Sequence, residues 1–202
     1  MKIAIIDYGM GNLKSVQNAL EFLNLKCVIT DEKSKIDDSD LLILPGVGSF
    51  KQAMININTS GLGEIIRENV VTHEKPILGI CLGMQLFAEE GEEDGLSKGL
   101  GLIPGRTERL IAGDLPIPHV GFNEIIWNTN IEMDLQSIKE FYFVHSYHFK
   151  VSQDEHVLGT TNYGSTFTSA IHYKNIYGVQ FHPEKSQSNG LMFLKKFIQL
   201  YN

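Results

Sequence analysis

"PILGICLGMQ" (76–85) sets one cysteine between two glycines, at the end of an apolar run and the start of a helix-like stretch. The run 75–80 lacks polar alternation, so it reads as a strand buried on both faces. Residues 83–90, "GMQLFAEE", read as the helix that follows. A buried strand feeding a helix through a tight turn is half of a βαβ unit. Cys81 has two readings here. Free cysteines are among the most buried residue types, and most are inert. Against that, Gly-x-Cys-x-Gly has the form of a nucleophile elbow, in which a sharp strand-to-helix turn exposes the middle side chain. Gly79 and Gly83 would remove the Cβ atoms that crowd such a turn. The N-terminus of the helix and a nearby imidazolium would favour a thiolate. The N–H of Leu82 would be placed to donate to a developing oxyanion. The stretch alone leaves both readings open. Cys27 has no such frame and is assigned to the core.

Working outward, the first half repeats the strand–helix pattern. Apolar runs at 2–7, 26–30 and 41–46 read as three more strands. Leu13, Val16, Leu20 and Leu23 recur at helical spacing, and 63–71 is a further helix. Buried strands joined by helices imply an α/β fold with a parallel sheet covered on both faces. The second half differs. Segments 121–127, 141–149, 167–173 and 175–181 are aromatic and β-branched, and read as strands, some antiparallel. The glycine-rich stretch 95–105 reads as loop. A closing helix carries Leu191, Leu194, Phe197, Ile198 and Tyr201 on one side. No repeat or linker divides the chain, so residues 1–202 are expected to form one domain.

Composition sets bounds. Of the 202 residues, 43% are apolar and 20% charged, an ordinary soluble mixture. The net charge is −7, and no run of Lys and Arg makes a basic face, so nucleic acid is not an expected partner. Two cysteines are too few for a disulfide framework and fit a reduced, cytoplasmic setting. No apolar stretch approaches the roughly 18 residues of a membrane span, and the N-terminal run is too short for a secretory signal.

In open parallel sheets, ligands bind beyond the carboxyl ends of strands. A nucleophilic Cys81 there needs a base, and the base an orienting group. Among seven histidines, His182 ends a strand in "GVQFHPEKS" (178–186). Pro183 pushes it toward an extended conformation, and Glu184, two residues on, would share its face if the strand continued. A carboxylate beside Nδ1 would fix the tautomer and stabilise an imidazolium. A lone His-Pro-Glu is more often a surface turn, and its pairing with the framed cysteine favours catalysis. The loop "PGVGSF" (45–50) could supply a second oxyanion donor from Val47 or Gly48. Gly9 and Gly11 invite a dinucleotide reading, but Lys14 stands where the third glycine of that fingerprint would be. No histidine or cysteine spacing fits a metal site, and no cofactor is expected.

Together, "PGVGSF", "GICLGMQ" and "GVQFHPEKS" resemble the triad-type, class I glutamine amidotransferases across nearly the whole chain. The resemblance implies a flavodoxin-like open sheet, mostly parallel, with helices on both faces and additional antiparallel strands. It implies a glutaminase in which Cys81 is the nucleophile, His182 the general acid/base and Glu184 its orienter. Val47 or Gly48 and Leu82 would serve the oxyanion. Gln85 and the backbone of Ser146 and Tyr147 would hold the substrate glutamine. "IDYGMGNLKS" (6–15), "PHVGFNEI" (118–125) and "FYFVHSYH" (141–148) are similar to the glutaminase subunits of imidazole glycerol phosphate synthases, of histidine biosynthesis. Val120 and Phe122 stand where those subunits more often have Met and Trp, and both stay apolar. The likeness implies a heterodimer with a (β/α)₈-barrel cyclase subunit that receives the ammonia, with Asn12 and Lys185 at the interface. Such a barrel takes about 250 residues, so it would be a separate chain. The competing expectations are a glutaminase subunit of another amidotransferase, or a γ-glutamyl hydrolase on the same fold.

Overall fold

The structure is a computed structural model, and it describes residues 1–128 and 133–201. The chain opens with β1 (Lys2–Ile6), α1 (Leu13–Phe22), β2 (Lys26–Thr30), the short α2 (Lys33–Asp37) and β3 (Leu41–Gly46). Next come α3 (Phe50–Thr59), α4 (Leu62–Arg67) running on as a π-turn at Glu68–Thr72, β4 (Ile77–Cys81) and α5 (Leu82–Gln85). The strands β5 (Glu90–Gly91), β6 (Ser97–Lys98), β7 (Gly105–Arg109), β8 (His119–Glu124) and β9 (Ile126–Trp127) follow. The chain then forms β10 (Glu140–His145), β11 (Tyr147–Val151), β12 (Val157–Tyr163), β13 (Ser165–Tyr173), β14 (Ile176–Val179) and α6 (Gln187–Gln199).

Among the described residues, eight strands form the main sheet in the order β2-β1-β3-β4-β14-β13-β12-β9. Its first five strands are parallel, and β13, β12 and β9 add on antiparallel. The parallel part has the 2-1-3-4-5 order of a flavodoxin-like sheet. Alternation along β1 and β3 shows why both faces are covered. Ile3, Ile5, Leu41 and Ile43 enter one core, which α1 and α6 close with Val16, Leu20, Leu194 and Phe197. Ala4, Ile6, Leu42 and Leu44 enter the other, closed by Phe50, Met54, Ile57 and Ile66 from α3 and α4. Each fully buried Leu, Ile or Phe contributes about 1.5–3 kcal/mol. The apolar side of α6 includes Phe193 beside the residues foreseen; Leu191 and Tyr201 pack at its margin. Among the described residues, no helix is long and apolar enough to cross a membrane.

Four expectations need correction. The 121–127 run divides at Ile125 into β8 and β9, which lie in different sheets. The helix after Cys81 stops at Gln85 instead of running to residue 90. The backbone carbonyls of Leu86, Phe87 and Ala88 accept bonds from Leu100, Leu102, Ile103 and Gly101, so they are not available to extend a helix. The glycine-rich 95–105 stretch is therefore more than a loop: it ends that helix and pairs Ser97–Lys98 with Glu90–Gly91. The 141–149 run breaks at Ser146 into two strands that belong to different sheets, β10 with β8 and β11 with β7. The unforeseen elements are α2, α3, β5, β6, β7 and β12.

Candidate active site

The β3–β4 register sets Gly46 beside Cys81, and β14 sets Val179 beside Ile80. The carboxyl ends of β3, β4 and β14 thus converge. Cys81 has φ 55° and ψ −111°, a strained conformation for a residue with a Cβ. This is the sharp turn the flanking glycines were expected to permit. A Cβ on Gly79 would meet the Met84 nitrogen and the Phe87 ring at 2.7 Å, and one on Gly83 would overlap the Leu44 carbonyl. Only one helical turn follows Cys81, so the sulfur does not face the dipole of a full helix.

His182 is 1% exposed, and its Nδ1–H donates to Glu184 Oε1 at 2.8 Å. The pair forms through a 3₁₀ turn at Pro183–Lys185, not through strand alternation as expected. The turn carries the Glu184 carboxylate back under the ring, where both side chains are buried. Glu184 Oε2 and His182 Nε2 are both buried without hydrogen-bond partners. Burial pulls His182 toward its neutral form. The nearby Cys81 sulfur and the Glu184 carboxylate outweigh that and raise its pKa to about 10.

A cavity of about 310 Å³ opens beside Cys81, lined among others by Val47, Gly48, Leu82, Gln85 and His182. Ser146, Tyr147 and Lys185 complete the foreseen lining residues. Gly48 adopts φ +106°, which a glycine tolerates and a Cβ does not, and Val47 is 40% exposed. Gln85 is buried, and its Nε2 donates to Tyr147 O at 2.8 Å and Gln180 Oε1 at 3.0 Å. The Ser146 carbonyl accepts from Leu110 N–H, and the Tyr147 carbonyl also from His145. Asn12 is not among the lining residues; it precedes α1 and accepts from Ser15 Oγ. α1 packs against the 183–185 turn that carries Lys185.

Sequence reasoning missed Glu93, the one carboxylate among the described residues of the cavity wall. It accepts from Phe50 N–H at 2.8 Å, and burial raises its pKa against that bond. It sits in the acidic run 89–94, where nothing in the pattern separates it from solvated neighbours. In the cavity wall, His145 Nδ1–H donates to Tyr147 O, which leaves Nε2 to accept from His119 Nδ1–H at 3.0 Å. Burial holds His145 down to about 3 and His119 to about 4. Among the described residues, no cluster of three or more His, Cys, Asp or Glu is placed to hold a metal.

A model of the family "Glutamine amidotransferase class-I" matches residues 4–200. The chain belongs to the class-I glutamine amidotransferase family. Amidotransferases named imidazole glycerol phosphate synthase subunit HisH are among its relatives. One, HisH 2 of Vibrio vulnificus, is 46% identical over 202 residues, covering 98% of this chain and 94% of the relative. Another, from Moorella thermoacetica, is 46% identical over 200 residues with the same coverage. Of solved structures, PurLQS from Thermotoga maritima superposes with a TM-score of 0.77 over 100% of this chain and 99% of its own. At 18% identity it speaks for the amidotransferase fold alone.

Proposed function

We propose that this chain is the glutaminase subunit of an imidazole glycerol phosphate synthase, acting in the cytoplasm as a heterodimer with a (β/α)₈-barrel cyclase subunit. The observation that carries the chemistry is a strained cysteine sharing one cavity with a buried His182 that is held in its protonated form and bonded to Glu184. The observation that carries the specific assignment is the near-full-length similarity to subunits of that synthase.

In this mechanism the Cys81 thiolate attacks the side-chain amide carbon of glutamine, forming a C–S bond. The carbonyl electrons move onto oxygen, and the N–H groups of Leu82 and of Val47 or Gly48 hold the oxyanion. His182 gives its proton to the amide nitrogen, the C–N bond breaks, and ammonia leaves. Water then gives a proton to His182 and attacks the glutamyl thioester, releasing glutamate and the thiolate. Glu184 keeps the ring oriented throughout and stabilises it whenever it carries the proton. Glutamine is a zwitterion, so its α-ammonium fits the Glu93 carboxylate, and Gln85 with the Ser146–Tyr147 backbone fixes the remaining polar groups.

The ammonia passes to the cyclase, whose lyase chemistry belongs to the partner. From the cavity, Lys185 leads to the Tyr142 ring at 5.9 Å, and Tyr142 to Phe122 at 5.6 Å. Phe122 and Val120 are exposed apolar residues on β8, which fits a docked partner over the ammonia exit. Asn12 is the further interface residue the family likeness implies. The runner-up, a γ-glutamyl hydrolase on the same fold that works without a partner, is separated by measuring ammonia release from glutamine with and without the cyclase. Equal release would favour the runner-up. A second assay tests the nucleophile. Cys81→Ala should abolish glutamine-dependent synthase turnover while the ammonia-dependent reaction of the complex survives. Glutamine-dependent turnover in that variant would overturn the assignment.

A further inference from the structure

Gln180 follows β14 and is 0% exposed. Its backbone N–H donates to Ser169 O at 2.8 Å, which pins the residue at the sheet end. Its side chain lies between the two functional side chains of β4 and α5: Nε2 is 3.6 Å from Cys81 Sγ, and Oε1 accepts from Gln85 Nε2 at 3.0 Å. The orientation of the amide is not free. Gln85 Nε2 also donates to the Tyr147 carbonyl, so it is a donor on both sides, and the Gln180 atom facing it must be the oxygen. The Gln180 N–H groups therefore point to the sulfur. A fully buried amide that only filled space would leave its donors unpaired, at a cost; this one spends a donor on the nucleophile.

We propose that Gln180 is a positioning residue for the amidotransferase reaction: its amide holds the Cys81 sulfur in the attacking orientation, donates to it as a thiolate, and couples it to the substrate-facing Gln85. The proposal rests on Cys81 being the nucleophile. The sulfur carries its charge before attack and loses it when the thioester forms. The donated bond is strongest with the free thiolate, and again when thioester hydrolysis returns it.

Two variants separate this role from packing. Gln180→Glu keeps an acceptor for Gln85, removes the donor to sulfur and adds a like charge. Gln180→Met keeps the length and removes both groups. The first readout is the pH–rate profile for alkylation of Cys81 by iodoacetamide. Both variants should move the rising limb to higher pH, with Gln180→Glu displaced by about one pH unit or more. The second readout is glutamine-dependent turnover in the complex with the cyclase, where kcat/KM should fall roughly tenfold or more. The complex's ammonia-dependent rate should hold. A space-filling residue would lower the melting temperature and leave the alkylation profile superimposed on the wild type, and that result overturns the proposal.

If the variants do not fold, the unmutated chain gives the answer by ¹⁵N NMR of side-chain amides. The Gln180 Nε2 protons should shift as Cys81 titrates and stop shifting in Cys81→Ala; no shift in the wild type overturns the proposal. Retained glutamine turnover in Cys81→Ala would sink the nucleophile assignment itself. Loss there, with wild-type behaviour of the Gln180 variants, sinks only the role of Gln180.

Discussion

Replacing Glu184 by Gln keeps the size and one acceptor oxygen while removing the charge that faces His182. The bond it alters is 2.8 Å long between side chains that are 2% and 1% exposed, so solvent screens it little. Glu184 Oε2 has no hydrogen-bond partner, so no other donor draws the charge away from the imidazole. A hydrogen bond to a charged group is worth roughly 1.5–3 kcal/mol more than nothing in its place. At 2–3 kcal/mol, the loss is roughly 30- to 160-fold in kcat/KM for glutamine. It has a pH signature. The wild-type ring keeps its proton up to about 10, because Cys81 and Glu184 outweigh burial. Without the carboxylate, burial gains ground and the proton is lost at lower pH. The deficit should therefore widen as pH rises from 6 to 9. The assay is steady-state glutamate production by the complex with its cyclase across that range, with melting temperature and complex formation as controls. A variant within threefold of wild type at every pH would refute the role given to Glu184.

A Cβ on Gly83 would overlap the Leu44 carbonyl oxygen and lie 2.7 Å from its carbon, both rigid backbone. Gly83→Ala should cost ~3 kcal/mol or more and strip the soluble, cooperatively melting protein, as thermal unfolding would show; a wild-type melt would contradict the tight elbow. The buried His119–His145 pair predicts acid sensitivity. Their folded pKa values are depressed to about 4 and about 3, below the roughly 6.5 of an unfolded histidine, so the unfolded chain binds more protons in between. The stability they allow is complete above pH ~6.5 and is lost as pH falls through about 4 for His119 and about 3 for His145. His145 alone accounts for about 2 kcal/mol at pH 5, or roughly 4–8 °C in melting temperature. His145→Gln should flatten that slope between pH 7 and 5, and a flat wild-type curve would contradict neutral burial.

How much the sequence discloses varies with how local each cause is. Strands β1, β3 and β4 are visible because each is an apolar run with turn residues at its end, and burial on both faces leaves no other pattern. Strand β2, at the sheet edge, is half-exposed and is visible from its apolar run alone. The elbow is visible for the same reason: both glycines and the strained residue between them lie within five positions. The length of α5 is not visible, because the donors that stop it come from residues 100–103. The Ser146 break depends on which distant strands β10 and β11 find as partners. His182 and Glu184 were paired correctly through the wrong backbone, since extended and 3₁₀ geometry both allow residues two apart to touch. Gln180 and Glu93 were missed because a glutamine in a strand motif and a glutamate among glutamates carry no pattern of their own; only the fold brings them to the sulfur and the cavity.

The central claim is that Cys81 takes the glutamyl group from glutamine. The direct measurement is rapid acid quenching of the complex during turnover, followed by mass spectrometry of the peptides. The account predicts the mass of one glutamyl group on the peptide holding Cys81, its loss in Cys81→Ala, and none on the Cys27 peptide. Sustained glutamine turnover in Cys81→Ala, or an adduct on any other residue, would contradict it.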